Sequence, residues 1–260
     1  MIKKTELEKY HKEVTKIFLA SGKPLSPERE KYLQDNNYKT QYRLYNIDKQ
    51  KLRSATKSGY AFSHLSYEDQ ASVWNHIFKN TLYMGIGHLA IDHFKKFQNR
   101  KNHSLFQYWP TLKTWITKVE NWAHADMIAS LYCDILSEAP KEVYPEFKKW
   151  SQHKSPWRNR MAIVSLLYYY NPKRYLPPFG DIISLVEPHI KKDHYYLQKA
   201  IGWNLRELSR AYPKEYWKFL NDNLLDLSSI AFTTAIEKLP AAKKEPLKQK
   251  RKKSRRVGRS

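Results

Sequence analysis

Along most of this chain apolar residues return every three to four positions, and little interrupts them. Only 7 of the 260 residues are glycine, and no convincing run of alternating apolar and polar residues leads into a hairpin turn. Such a pattern predicts helices that each bury a stripe against their neighbours. Candidate helices run near 4–20, 27–35, 49–58, 67–80, 82–98, 107–119, 122–137, 140–153, 156–170, 180–191, 193–211, 213–225 and 229–238. Proline, serine and aspartate punctuate them where helices start. Ser155-Pro156 reads as an N-cap and first helical residue, Asp193 as a further cap, and Tyr212-Pro213 as the break between two helices. Helices of this length on short connections predict stacked helical pairs, an all-α solenoid.

Residues 1–240 read as a single domain with a sizeable core. A composition of 41% hydrophobic and 14% aromatic residues excludes a disordered chain. The single Cys133 excludes an intrachain disulfide framework and any cysteine-based zinc or iron–sulfur site. The first residues carry no apolar signal region, and no stretch approaches the roughly 18 uncharged apolar residues of a membrane span. A soluble cytoplasmic chain without a membrane partner is therefore expected. The formal net charge of +22 favours an anionic partner. It equally fits a surface kept soluble, and charge alone does not choose among nucleic acid, acidic protein and anionic lipid. Residues 241–260, AAKKEPLKQKRKKSRRVGRS, hold ten basic residues and one acid, so they carry +9 and leave +13 to the rest. With no apolar periodicity, this tail is expected to be disordered, either an arm for phosphate backbone or a solubilising end.

Helix faces show where the unusual residues point. In segment 122–137, Met127, Ile128, Leu131 and Ile135 form one stripe, while Trp122 and Asp126 share the opposite side with Ala129 and Cys133. A large aromatic beside a carboxylate on that second side is unexpected for a helix with one core face. On a helix packed on both sides, Trp122 would instead be a core contact and Asp126 a satisfied carboxylate. In segment 193–211, Leu197, Ile201, Leu205 and Leu208 form the apolar stripe, and Tyr196, Lys199, Trp203, Arg206 and Arg210 fall together on the far side. Cations interleaved with rings suit nucleic acid, where phosphates meet charge and flat groups meet sugars or bases. A solvated face with snorkelling side chains also fits. Arg158 and Arg160 follow Ser155-Pro156 at a helix start, where they oppose the helix dipole. A bound anion would relieve that conflict, as would an acidic side chain elsewhere.

Trp122-x-x-x-Asp126, Trp157-x-x-Arg160 and the string Gln198-Lys199-Ala200-Ile201-Gly202-Trp203-x-Leu205-Arg206-Glu207 together resemble the AlkD-type DNA alkylation repair proteins. Trp150 and Ala162-Ile163 add to the second motif, and weaker likeness starts near Tyr45-Asn46-Ile47 with Lys51-Leu52-Arg53 and continues through Leu89-Ala90-Ile91-Asp92. The resemblance covers roughly residues 26–238. It implies a right-handed superhelix of HEAT-like repeats with a basic concave groove for duplex DNA. It further implies a DNA glycosylase of base-excision repair that hydrolyses the N-glycosidic bond of cationic N3- or N7-alkylated purines without flipping the base. Asp126 would be the catalytic carboxylate, and Trp122 and Trp203 would pack on the sugar–phosphate backbone. Arg160 and Arg206 would hold the backbone near the lesion, with Arg158, Lys199 and Arg210 adding contacts. Tyr38 is the nearest in register to a groove-lining tyrosine. The four site residues Trp122, Asp126, Arg160 and Trp203 are expected to converge on one surface.

The residue types suit that reaction. An alkylated purine is already a cationic leaving group and needs no general acid. Cleavage moves positive charge onto the sugar, where a carboxylate stabilises it and orients water, and aromatic faces add roughly 0.5–2 kcal/mol per ring. No metal or organic cofactor is called for, and the protein is expected to act as a monomer without an obligate protein partner, nucleoid-associated if bacterial. Ala123 stands where the family often has Asp, and Asn121 where some members carry another aromatic. Related subgroups bind DNA without glycosylase activity, which makes an inactive binder of damaged, bent or branched DNA the alternative. A scaffold for an acidic protein is a third class. Gly85-x-Gly87-x-x-Ala90 lies in a helical segment and reads as close packing or a bend rather than a dinucleotide motif. His88, His93 and Cys133 read as packing or surface residues.

Overall fold

The structure is a computed structural model that describes residues 2–35, 40–98 and 103–257; Tyr38 lies outside the described residues. These residues form fourteen α-helices, three short 3-10 helices and one two-stranded sheet, joined by turns and loops. The first unit, Met1–Leu131, holds α1 (Lys4–Ala20), β1 (Gly22–Pro24), α2 (Pro27–Asp35), β2 (Tyr45–Ile47), α3 (Lys49–Ala55), α4 (Tyr67–Asn80), α5 (Met84–Gln98), α6 (Trp109–Leu112) and the start of α7 (Trp122–Glu138). The second, Tyr132–Ser260, holds the rest of α7, then α8 (Pro140–Ser151), α9 (Pro156–Val164), α10 (Phe179–Val186), α11 (Tyr195–Ala211), α12 (Pro213–Asp222), α13 (Ser229–Ala235) and α14 (Ala241–Val257). The all-α helical-repeat class expected from the sequence is what the chain adopts. The strands pair antiparallel, Lys23 opposite Asn46, and are too short to give an alternating pattern.

In the first unit α1 packs on α4, and α4 on α5, around Val14, Phe18, Trp74, Ile77 and Phe94. In the second, α9 lies between α8 and α11, and α11 packs on α13, around Phe147, Met161, Ile201 and Leu205. A stack of short helices buries helix ends, and the last carbonyls of each helix have no partner within it. Two helices meet that need with an amide at their fourth residue, and a third uses the same amide step to satisfy the turn before it. Gln70 of α4 donates from Nε2 to the carbonyls of Ser63 (3.1 Å) and Leu65 (2.8 Å). Asn159 of α9 donates from Nδ2 to Trp150 (2.9 Å), Ser151 (2.9 Å) and His153 (2.8 Å), closing α8. Gln198 of α11 donates from Nε2 to His189 (2.9 Å), Ile190 (3.2 Å) and Lys192 (2.7 Å). All three amides are buried. This device is a structural repeat that sequence similarity does not display.

The structure departs from the sequence reading in four places. Residues 241–260, expected to be disordered, form α14 as far as Val257. Two side chains separated by one turn anchor it: Leu247 is buried, and the buried Arg251 donates to the carbonyls of Leu224 and Leu227 while lying 4.7 Å over the Phe232 ring. A guanidinium with two carbonyls and a ring replaces the apolar stripe that the segment lacks. The helix expected over 107–119 is α6 flanked by 3-10 turns at Leu105–Tyr108 and Lys113–Lys118. Segment 156–170 leaves the helix after Val164. His194, not Asp193, caps α11, its Nδ1 accepting from the Leu197 N–H at 3.2 Å.

Two glycines mark close approaches. A Cβ on Gly85 would lie 2.6 Å from Phe18 Cζ, so the glycine-rich stretch of α5 serves helix packing. A Cβ on Gly202 would lie 2.6 Å from both the Ala231 carbonyl oxygen and Thr234 Cβ, which sets how near α13 comes to α11. Gly202→Ala is therefore expected to destabilise the fold by about 1–3 kcal/mol, despite alanine's better helix propensity. Urea unfolding of the variant would measure this.

Candidate functional site

The start of α7 is held by its own flank. Glu120 accepts from the Thr40 hydroxyl and from the Gln41 N–H (2.8 Å), and burial beside Glu120 pushes the Tyr42 phenol up to about 12. Asn121 is buried, and its Oδ1 accepts from the His124 N–H at 2.9 Å, capping the helix. This is the work of a residue that departs from the family pattern. His124 is buried with its ring edge-on to Tyr42 (5.1 Å) and near Phe78 (5.7 Å). Desolvation lowers it to about 4, so it stays neutral at ordinary pH.

On this rigid first turn stand the two expected site residues. Trp122 is 37% exposed, and Asp126, one turn on and on the same side, is half-buried. From Ile128 to Leu136 every residue of α7 is buried, so the helix is packed on both sides there, whereas in its first turn His124 and Ala125 are buried and Trp122 and Ala123 keep exposure. Cys133 falls in the packed half, where burial raises its thiol and the Arg174 guanidinium partly opposes that.

In the second unit, Trp157 packs edge-on to His194 (5.4 Å) and tilted on Tyr196 (5.8 Å), and Arg158 is half-buried. Arg160 is only 3% exposed and its Nη1 donates to the Tyr196 carbonyl at 2.5 Å. The residue expected to grip phosphate thus ties the first turn of α11 to α9 through a main-chain oxygen.

Helix α11 shows the two faces that its period predicts. Tyr196, Lys199, Trp203, Arg206 and Arg210 all retain exposure, and Leu197, Ile201, Leu205 and Leu208 are buried. Lys199 and Arg210 are exposed. Arg206 lies 5.9 Å over the Trp203 ring and is paired with Glu207 (3.2 Å) and Glu237 (2.7 Å). The hydrogen bond from Arg206 holds the Glu237 carboxyl below its usual range. Buried Glu207 also faces Arg210 at 3.6 Å and accepts from the Tyr170 N–H at 3.1 Å. A ring cluster missed in the sequence surrounds Trp203: Tyr168 lies 5.5 Å and Tyr169 5.1 Å from it, centroid to centroid. The three consecutive tyrosines 168–170 were its available signal, hidden because the segment reads as helix.

Among the described residues no group of three His, Cys, Asp or Glu side chains is placed to hold a metal, and no helix is long and apolar enough to cross a membrane. A family model described as "DNA alkylation repair enzyme" matches residues 5–239. Among solved structures, a protein of Enterococcus faecalis described as a predicted DNA alkylation repair enzyme is similar, with TM-score 0.66 and 18% identity over 84% of this chain and 98% of its own. No curated protein matches the sequence closely enough to be counted a relative.

His124 sets a pH dependence. Its imidazole titrates near 6.5 when unfolded and near 4 when folded, so between these values the unfolded chain binds more protons. The contribution is whole above pH about 6.5, is lost as pH falls toward 4, and amounts to about 3 kcal/mol. Urea midpoints measured from pH 7 to 4 should fall across this window, and less steeply in His124→Phe.

Proposed function

The chain belongs to the DNA alkylation repair family, and on that premise we propose that it is a DNA glycosylase hydrolysing the N-glycosidic bond of cationic N3- or N7-alkylated purines in duplex DNA, without flipping the base. The observation that carries the reading is an exposed indole and a half-buried carboxylate one turn apart on one side of the start of α7, a helix packed on both sides further along.

As the purine leaves with its electron pair, the deoxyribose becomes an oxocarbenium ion. Asp126 stabilises that charge and orients the water whose oxygen attacks the anomeric carbon and whose extra proton is then lost to solvent. The lesion's own positive charge supplies the leaving ability, so no acid is needed. Trp122 and Trp203 pack on the sugar–phosphate backbone and add cation–π stabilisation. The exposed Lys199 and Arg210 and the half-buried Arg158 meet phosphates, which gives register without sequence preference. Arg206 does so by exchanging the half-exposed Glu237 for a phosphate. Arg160 acts as a positioning residue through the Tyr196 carbonyl. Asp126 is half-buried near the start of α7, so solvent still reaches it.

Incubation with a duplex holding 7-methylguanine is expected to yield free base and abasic sites. Asp126→Asn should lower the release rate by about 100-fold or more while duplex affinity stays within a few-fold. Release by this variant at the wild-type rate would remove Asp126 as the catalyst. Tight binding without any release would favour a non-enzymatic binder of damaged DNA on the same scaffold.

A further inference from the structure

Tyr169 is the only non-glycine residue with positive φ among the described residues, at +46°. For a bulky side chain this left-handed conformation is strained. The chain holds it there from both sides. The Tyr168 carbonyl before it accepts from Arg174 Nη1 at 2.9 Å, and Arg174 is itself fixed by buried Asp134, 2.7 Å from Nη2. The Tyr170 N–H after it donates to buried Glu207 at 3.1 Å, and Arg210 lies 5.7 Å over the Tyr170 ring. Two buried carboxylates, one acting through a guanidinium, thus clamp the peptide units on either side of one strained residue.

What the clamp presents is a ring in solvent. Tyr169 is 58% exposed, and it is turned edge-on to Trp203, with 61° between the planes. Packing accounts for this only in part: Tyr168 also meets the ring edge-on at 5.0 Å, yet more than half of the residue's surface stays in water. A core tyrosine would repay strain by burial, and a turn that needed only the backbone shape would be met by glycine or asparagine. The Trp203 ring and the Tyr169 ring form two walls of an aromatic ledge, with the Arg206 guanidinium beside it.

We infer that Tyr169 is a further DNA-binding residue, which with Trp203 forms a ledge that receives one nucleotide of the duplex backbone by ring-to-sugar or ring-to-base contact. The inference rests on the proposed function for the identity of the ligand. The strain and the clamp are independent of it. Flat uncharged faces suit a sugar or base, and the adjoining cations suit the phosphates on either side of it.

Three variants of Tyr169, and a double-mutant cycle with Trp203→Ala, test this, with duplex binding read by fluorescence anisotropy and base release read separately. Tyr169→Ala and Tyr169→Gly both delete the ring, and each should weaken duplex binding about ten-fold. Tyr169→Phe should bind within about two-fold of wild type. Adding Tyr169→Ala to Trp203→Ala should cost much less than the first change does alone, because the two rings act as a unit. Thermal unfolding reads the strain: Tyr169→Gly should melt above Tyr169→Ala, the reverse of the usual order for these residues. Unchanged binding in the ring-deletion variants, or full additivity with Trp203→Ala, overturns the inference. A wild type that binds duplex but releases no base refutes the glycosylase reading alone and leaves the ledge to be judged on binding. A wild type that binds no duplex refutes both.

Discussion

Carbonyls at the ends of buried helices set the terms for everything else in this protein. A helix in open solvent hands its last carbonyls to water, whereas stacked helices exclude it, and an unmet acceptor there costs about 1–3 kcal/mol. Asn159 and Gln198 answer with an amide at the fourth residue of their helices, and Gln70 does the same at α4 for the turn before it. The answer has a geometric consequence. Once the fourth residue is turned inward to cap the preceding element, the placement of its neighbours is fixed by the helical period. Arg160 and Lys199 are both fifth residues of their helices, α9 and α11. One is buried against the Tyr196 carbonyl and the other is exposed. The step is common to both helices, and the fate of the cation beside it depends on whether a neighbouring helix start is within reach.

The parts of the fold that repeat with the helical period were legible from the residues. Helix α11 is the clearest case: all five residues assigned to its far face keep exposure, and all four of its apolar stripe are buried. Features that depend on contacts distant in sequence escaped. Arg160 looks like a free cation at a helix start because its acceptor is a main-chain oxygen 36 residues away. Tyr168 to Tyr170 read as helix because the carboxylate that draws the Tyr170 N–H out of one is Glu207. The segment after Pro240 reads as tail because it has one leucine where a stripe would need several. Arg251 fills the missing place with its carbonyl partners and the Phe232 ring. In each case a polar group does structural work that hydrophobic periodicity does not register.

Acids are scarce in this chain, 25 against 47 lysines and arginines, which makes their placement informative. Glu207 and Asp134 are buried. A buried carboxylate is tolerated only with full partnership. Glu207 has it from Arg206, Arg210 and the Tyr170 N–H, and Asp134 has Arg174. Each of these guanidinium groups either adjoins Trp203 or supports the turn that carries Tyr169. The inner acids therefore shape the surface around the indole, although they carry the wrong sign for an anionic ligand.

That arrangement divides attraction from discrimination. Charge on exposed lysines and arginines draws in any polyanion, and its pull decays with salt and distance. It cannot by itself tell one nucleotide from the next. Selectivity must come from groups of fixed shape, and a ring is fixed only when its backbone is. Asn121 does this for Trp122 through a buried cap, and Glu207 with Arg174 does it for Tyr169 through a clamp on both sides. The same physical solution thus appears in each unit: a buried polar contact to the main chain, stiffening the residue on which an exposed aromatic stands. A carboxylate such as Asp126 gains from this as much as the rings do. In the proposed reaction its stabilisation of a developing cation would fall off with every ångström of slack in the turn that bears it.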